Sequence, residues 1–212
     1  LLAAWEWSLL LKLHSWFRFF YVLAIGVAML FLSPVAALIV LWAAAIWWLL
    51  ALFWIVIYPQ GARVWNQGIW VRACMGFFTL LPSWLAINII RSAENGAAIL
   101  LFLLLLVCAT DVGAYLFGRW LGKHILAPHV SPKKTQEGLV GGIVFALFIV
   151  FLWLLVRQIP LHHWWTIFFV SFITILSSVV GDLLESMLKR EAGIKDTGHY
   201  LPGHGGILDR VD

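Results

Sequence analysis

The feature that most constrains this 212-residue chain is a series of apolar stretches, several of which reach about 20 residues. As an α-helix, a stretch of that length spans the roughly 30 Å hydrocarbon core of a bilayer. Hydrophobic residues make up 63% of the chain and charged residues 11%, and the mean hydropathy is +0.97. Soluble globular domains have a far more polar composition. The sequence therefore predicts an all-α fold, a polytopic integral membrane bundle of helices.

Polar connections separate the apolar stretches and fix the order of the expected helices. After a helix end at residues 1–11, the expected spans are residues 19–32, 35–58, 73–90, 97–117, 139–156 and 166–184. By motif content the chain divides into N-terminal membrane helices, residues 1–96, and a C-terminal membrane region, residues 97–212, that carries two polar motifs. Because the chain starts inside an apolar run and stops directly after a polar motif, we expect a longer protein with further membrane helices at one or both ends.

The basic residues are distributed unevenly between the connections. Of the 14 Lys and Arg residues, 12 lie in alternate connections and only Arg91 and Arg157 lie in the intervening ones. Cytoplasmic loops of membrane proteins carry the excess of Lys and Arg. We therefore expect both polar motifs to face the cytoplasm. The net charge of +4 is too small to indicate a nucleic-acid partner.

The C-terminal motif, residues 186–212, concentrates polar side chains in an otherwise apolar chain. Basic groups, glycines that allow close approach and spaced carboxylates are the parts needed to hold a polyphosphate with a divalent metal. Asp182, Glu185 and Lys189 share one helical face just before and within this motif, so they form a polar stripe. The glycine turn before Asp209 and Asp212 could fold both carboxylates back over the stripe.

The second motif, residues 111–142, combines glycines, basic residues and a Ser-Pro step that ends regular helix. Three glycines would let backbones or headgroups approach closely: Gly113, Gly118 and Gly122. Ser131-Pro132 interrupts the chain, and Thr135 or Gln136 can cap the next helix, whose N-terminus carries partial positive charge. With the intervening lysines, this arrangement predicts a phosphate cradle. A basic loop that only sets topology is the alternative.

Acidic residues are scarce, which makes their positions informative. Asp111 follows one apolar run and Asp182 lies near the end of another. Carboxylates at membrane depth are costly and usually face a polar cavity or a partner. A helix-end carboxylate or an interfacial ion pair is the alternative for both residues, and an ordinary surface pair with Arg210 is the alternative for Asp209.

Together the two motifs resemble the CDP-diacylglycerol synthases, also called phosphatidate cytidylyltransferases. The C-terminal signature of that family is matched at Ser186, Lys189, Arg190, Lys195, Asp196, Gly198, Leu201, Pro202, His204, Gly205, Gly206, Asp209, Arg210 and Asp212. An upstream segment of the family is matched at Ser131, Pro132, Lys134, Thr135, Glu137 and Gly138. Trp5-Glu6-Trp7 resembles a weaker family feature near an early helix.

The resemblance implies a nucleotidyltransferase that joins the cytidylyl group of CTP to phosphatidate, giving CDP-diacylglycerol and pyrophosphate in phospholipid biosynthesis. It implies Mg²⁺ as the cofactor and a homodimer as the assembly. The topology and the style of the motifs favour a bacterial inner membrane as the location, with an organelle membrane as the alternative. The implied Mg²⁺ ligands are Asp182 and Asp209, completed by Asp212, Asp196 or Asp111.

The remaining site residues implied by the resemblance would bind phosphate groups or the nucleotide. The catalytic set comprises Lys134, Lys189, Arg190, Lys195, His204 and Arg210. The nucleotide-binding set comprises Ser131, Thr135, Gly205 and Gly206. Within these sets the basic residues would clamp phosphates, the two adjacent glycines would admit the nucleotide and His204 would orient a phosphate.

Two other functions fit parts of the sequence, and a non-enzymatic scaffold is a further alternative. A CTP-dependent kinase of a polyprenol or another lipid alcohol is related to the same family at lower similarity, and it would transfer the γ-phosphate instead. A membrane transporter would use Asp111 and Asp182 as coupling sites, but the inverted repeats and broken helices typical of transporters are not evident.

Overall fold

The computed structural model describes residues 1–11, 14–62, 68–194, 197–198 and 205–211, and of residues 210 and 211 it describes the backbone. The N-terminal helices are α1 (Leu2–Leu10), α2 (Ser15–Phe31), α3 (Pro34–Val56) and α4 (Ile69–Ser92). They are followed by α5 (Gly96–Leu121), β1 (Ile125–Ala127), β2 (Ser131–Thr135) and α6 (Gln136–Val156). A 3₁₀ turn (Leu161–His163), α7 (Trp164–Ala192) and α8 (Leu208–Val211) complete the order.

Five of the described helices, α3 to α7, are long and apolar enough to cross a membrane, the last taken together with its preceding 3₁₀ turn. Each corresponds to an apolar stretch expected from the sequence, and most extend a few residues into the flanking polar segments. Helix α2 is apolar as well but has only 17 residues. The predicted all-α polytopic membrane fold is confirmed.

The helix starts follow local sequence rules. The Ser33 hydroxyl accepts a hydrogen bond from the Ala36 N–H at 3.3 Å, and Pro34 occupies the first position of α3, where its missing N–H costs nothing. Thr135 caps α6 by accepting from the Gly138 N–H at 3.1 Å, as the sequence predicts. Capping side chains therefore place the starts of two membrane helices.

The chain forms two compact units, one comprising Leu1–Ile89 with Leu183–Asp212 and the other comprising Ile90–Asp182. The division predicted at residues 96 and 97 follows motif content rather than compactness, so this grouping does not test it.

In the first unit, side chains of α1 and α2 are hydrogen-bonded to the backbone at the start of α4. Trp7 Nε1 donates to the Arg72 carbonyl and the Tyr21 hydroxyl donates to the Ala73 carbonyl, each at 3.1 Å.

In the second unit, glycines bring α5 and α6 into close contact. A Cβ added at Gly113 would lie 2.7 Å from the Cβ of Phe145, and one added at Gly142 would lie 2.7 Å from the Thr110 carbonyl oxygen. Small residues allow this approach between membrane helices. The close approach expected at Gly113 is thus between two helix backbones. The adjoining core consists of Leu106, Ala109, Ala146, Val150, Leu154 and Ile175.

The loop between α5 and α6 contains a short antiparallel hairpin that the sequence analysis did not predict. Strands β1 and β2 pair with Ile125 opposite Thr135 and Ala127 opposite Ser131. The Glu137 carboxylate, in the first turn of α6, accepts hydrogen bonds from the Lys123 and His124 N–H groups at 3.0 and 3.2 Å. The hairpin and this carboxylate hold the second motif against the start of α6.

Candidate active site

The C-terminal end of α7 and the final turn of the described chain form an ionic cluster in the first unit. Lys189 Nζ lies 2.9 Å from Glu185 Oε1 and 2.9 Å from Asp209 Oδ1. The three side chains are 17%, 5% and 9% exposed, so the charges are largely removed from water. Buried charges are stable only when paired. The predicted return of Asp209 to the polar stripe of α7 is confirmed.

Asp209 is also held by two backbone groups. Its Oδ2 accepts from the Thr197 N–H at 2.9 Å and from the Gly206 N–H at 2.8 Å. Burial opposes ionisation, but the Gly206 N–H, the Lys189 ammonium and the Thr197 N–H together lower the pKa of Asp209 below its ordinary value. The carboxylate is therefore ionised throughout the neutral range.

Glu6 of α1 is the second carboxylate that holds this turn, and it is fully buried. Its Oε1 accepts from the Ile207 N–H at 2.8 Å, and its Oε2 accepts from the Leu208 N–H at 2.6 Å. The Thr197 hydroxyl lies 3.4 Å from the same Oε2. The sequence analysis noted Glu6 in a weak family feature and did not assign it to the site. A lone carboxylate inside an apolar helix was the available signal.

The second motif supplies a separate ion pair within the second unit. Lys134 of β2 contacts Asp182 of α7 through its ammonium group, and the two side chains are 30% and 35% exposed. Both residues are predicted site residues, and the structure brings them together. Because both remain partly accessible, a phosphate or a metal could compete for either partner.

Thr135 lies where the end of α5 meets the start of α6. A Cβ added at Gly118 would lie 3.0 Å from the Thr135 hydroxyl oxygen, and a Cβ at Gly122 or Gly138 would lie 2.9 Å from it. Three glycines therefore surround the capping hydroxyl at the N-terminus of α6. Ser131, the other predicted nucleotide-binding residue of this motif, begins β2.

The other predicted site residues occupy varied positions. Asp111 is exposed on α5, and Arg190 is exposed near the end of α7. Gly205 has a left-handed backbone with φ of 83°, which favours glycine, and Gly206 is buried. Four predicted residues and the side chain of a fifth lie outside the described residues: Lys195, Asp196, His204, Asp212 and Arg210.

The donor chemistry of the two ion pairs suits the expected metal. Carboxylate oxygens are the ligands that Mg²⁺ prefers, and Asp182 and Asp209 each already face a cation, Lys134 and Lys189 respectively. Among the described residues, no three His, Cys, Asp or Glu side chains are grouped so that they could hold a metal ion. Two of the expected ligands, Asp196 and Asp212, fall outside that part of the chain, so the Mg²⁺ site stays a prediction.

Comparison with known proteins identifies the family of the chain. The chain is 38% identical to the phosphatidate cytidylyltransferase of Pseudomonas aeruginosa, over 100% of this chain and 79% of that protein. It is 39% identical to the Haemophilus influenzae enzyme of the same name, over 80% of this chain and 62% of the relative. The Bacillus subtilis phosphatidate cytidylyltransferase is 40% identical, with 65% and 53% covered. The family match spans residues 1–212, and the chain belongs to the cytidylyltransferase family.

Proposed function

We propose that the protein transfers the cytidylyl group of CTP to phosphatidate, forming CDP-diacylglycerol and pyrophosphate. The observation that carries the proposal is the cluster in which Lys189 is held by Glu185 and Asp209. In this cluster Lys189 and Asp209, two signature residues that are 20 positions apart in the sequence, form a direct ion pair. Family membership and the names of the relatives support the same activity.

The reaction needs charge control more than a strong base. An oxygen of the phosphatidate phosphate attacks the α-phosphorus of CTP, and the bond from that phosphorus to the oxygen bridging the β-phosphate breaks to release pyrophosphate. The second pKa of a phosphate monoester is about 6, so the nucleophile is largely ionised at neutral pH. The main barrier is the approach of two polyanions and the charge on the leaving group.

The lysines of the two ion pairs are suited to this task. Lys189 and Lys134 each present an ammonium group whose position is set by a carboxylate, so the cation is oriented before substrate arrives. Such preorganised charge stabilises a phosphoryl group without reorganisation during the reaction. We assign both lysines to phosphate binding, together with Arg190 and Lys195.

The proposed cofactor is Mg²⁺, held by Asp182 and Asp209 with Asp212, Asp196 or Asp111 completing its ligands. When bound, the ion would neutralise phosphate charge and polarise the phosphoryl oxygens. Gly205, Gly206, Ser131 and Thr135 are assigned to the nucleotide, and His204 and Arg210 to phosphate groups.

The cellular setting is part of the proposal. The 12 basic residues in alternate connections support an orientation with both motifs in the cytoplasm. The three relatives compared above are bacterial proteins, which supports the inner membrane of a bacterium as the location. The expected assembly in the bilayer is a homodimer.

The test is product analysis with the purified protein in detergent, phosphatidate, a polyprenol, Mg²⁺ and CTP labelled at either the α- or the γ-phosphate. The expected result is α-label in the lipid product and release of pyrophosphate. Label entering lipid alcohols only from γ-labelled CTP would instead identify a kinase, and no transfer from either position would overturn the enzyme assignment. Asp209→Asn serves as the paired variant, with abolished turnover expected while the folded protein remains in the membrane.

A further inference from the structure

The Glu6 carboxylate links the first helix of the chain to its last described turn. It is 0% exposed, and its two oxygens receive the N–H groups of Ile207 and Leu208 at 2.8 and 2.6 Å. A buried carboxylate is strongly unfavourable without such donors. Glu6 therefore fixes the backbone that immediately precedes Asp209.

Glu6 and Asp209 hold the same short segments. Thr197 donates its N–H to Asp209 Oδ2, and its hydroxyl lies within 3.4 Å of Glu6 Oε2. Gly206 donates its N–H to Asp209, and a Cβ at Gly206 would lie 2.7 Å from Glu6 Oε2. A displacement of the Glu6 carboxylate would consequently be transmitted to the groups that orient Asp209.

The surroundings of Gly198 show how tightly the chain packs on the Glu6 carboxylate. A Cβ added at Gly198 would lie 2.6 Å from Glu6 Oε1 and 3.1 Å from its Cδ. Real Cβ atoms do not approach a neighbour that closely, so any side chain here would displace Glu6 or the loop. The contact is thus specific to the shape of the Glu6 side chain as well as to its charge.

We propose that Glu6 is a positioning residue for cytidylyl transfer: it holds the Gly206–Leu208 turn so that Asp209 meets Lys189 in the geometry that the reaction uses. The inference rests on the proposed function and adds a residue from the far end of the chain to its machinery. Glu6 acts through Asp209 and makes no contact with substrate in this role.

The first experiment compares Glu6→Gln with Ser8→Ala. Glutamine keeps the shape of the side chain, but its NH₂ group then faces one of the two backbone N–H groups. The turn therefore loses one of its hydrogen bonds to residue 6. Ser8 is a matched control because it is equally buried on α1 and donates its hydroxyl to the Trp5 carbonyl of the same helix. We expect kcat of Glu6→Gln to fall at least about tenfold, since small misplacements of reacting groups are costly. The KM for CTP should change little, Glu6→Asp should recover part of the rate, and Ser8→Ala should match the wild type.

Hydrogen exchange of the Ile207 and Leu208 amides provides a readout independent of turnover. We expect faster exchange in Glu6→Gln and wild-type exchange in Ser8→Ala. A Glu6→Gln protein with wild-type kcat and wild-type exchange would overturn the proposal. If wild-type protein shows no transfer, the proposed function fails, whereas the exchange data still decide whether Glu6 holds the turn.

Gly198→Ala covers the case in which Glu6→Gln does not fold. This variant keeps every charge and disturbs the contact from the loop side. A tenfold or greater fall in kcat with faster exchange at Ile207 and Leu208 supports the proposal. Wild-type values of both quantities would contradict it.

Discussion

Lys189 donates a hydrogen bond to Asp209 at 2.9 Å, which fastens the C-terminal motif to the end of α7. Helix α7 begins in an apolar part of the chain and ends in a buried ionic cluster, so one helix carries both a membrane-spanning segment and two residues of that cluster. The same ammonium contacts Glu185 one turn earlier. Two described residues of the family signature, Lys189 and Asp209, therefore belong to one cluster and are not independent surface charges.

Removing the shared ammonium should lower both the activity and the stability of the protein. Lys189→Met leaves the Glu185 and Asp209 carboxylates buried together, and breaking a buried pair in this way typically costs about 3–5 kcal/mol. We expect loss of activity of at least about 100-fold together with a lower thermal midpoint. Lys189→Arg keeps the charge, so it should retain most of the stability. Its activity should still fall, because the guanidinium differs in shape from the ammonium.

The measurement is CDP-diacylglycerol formation beside a thermal melt followed by tryptophan fluorescence. Lys123→Ala is a suitable control because it removes an exposed lysine from the loop after α5. Full activity in Lys189→Met would contradict a role of this ammonium in catalysis.

The adjacent lysines of β2 separate a specific contact from general basic charge. Lys134 pairs with Asp182, whereas Lys133 is exposed. Lys134→Ala should reduce kcat/KM for CTP at least about tenfold, since a charge-assisted contact to phosphate is typically worth about 1.5–3 kcal/mol. Lys133→Ala removes the same charge one residue away and should leave kcat/KM within about twofold of wild type. Steady-state assays on both variants test this difference, and equal losses in the two would indicate that only loop charge matters.

The parts of the fold that hydropathy determines could be predicted, and the parts that long-range pairing determines could not. Apolar length alone indicates the membrane helices, and the Thr135 cap follows from a local rule. The hairpin escaped prediction because β1 has only three residues and no alternating pattern. The role of Glu6 escaped for another reason: its partners Ile207 and Leu208 lie about 200 positions away, and no local pattern reports such a contact.

The glycine contact between α5 and α6 predicts a stability effect without any change in charge. At Gly142 an added Cβ would lie 2.7 Å from the Thr110 carbonyl oxygen, which belongs to the helix backbone and cannot rotate away. Overpacking of this kind costs about 1–3 kcal/mol. Gly142→Ala should therefore lower the thermal midpoint. In Gly26→Ala, where the nearest atom would be 3.4 Å away on the Leu1 side chain, the midpoint should not fall. Equal midpoints for the two variants would argue against close packing of α5 on α6.

The ionisation of Asp209 predicts how the C-terminal turn responds to acid. Its folded-state pKa is lowered, so its contribution to stability is complete above the unfolded value of about 3.9 and is lost as the pH falls through the folded value. Asparagine at position 209 cannot ionise. Glu185 and Lys189 are present in both proteins, so the two differ only in the group at position 209. The difference in thermal midpoint between wild type and Asp209→Asn should therefore stay constant from about pH 8 to pH 5 and shrink only below about pH 4. Melts across this range measure it. A difference that already shrinks between pH 7 and pH 5 would show that the carboxyl group binds a proton in the folded protein at ordinary acidity, and the hydrogen bonds from Thr197 and Gly206 would then not be those of a carboxylate.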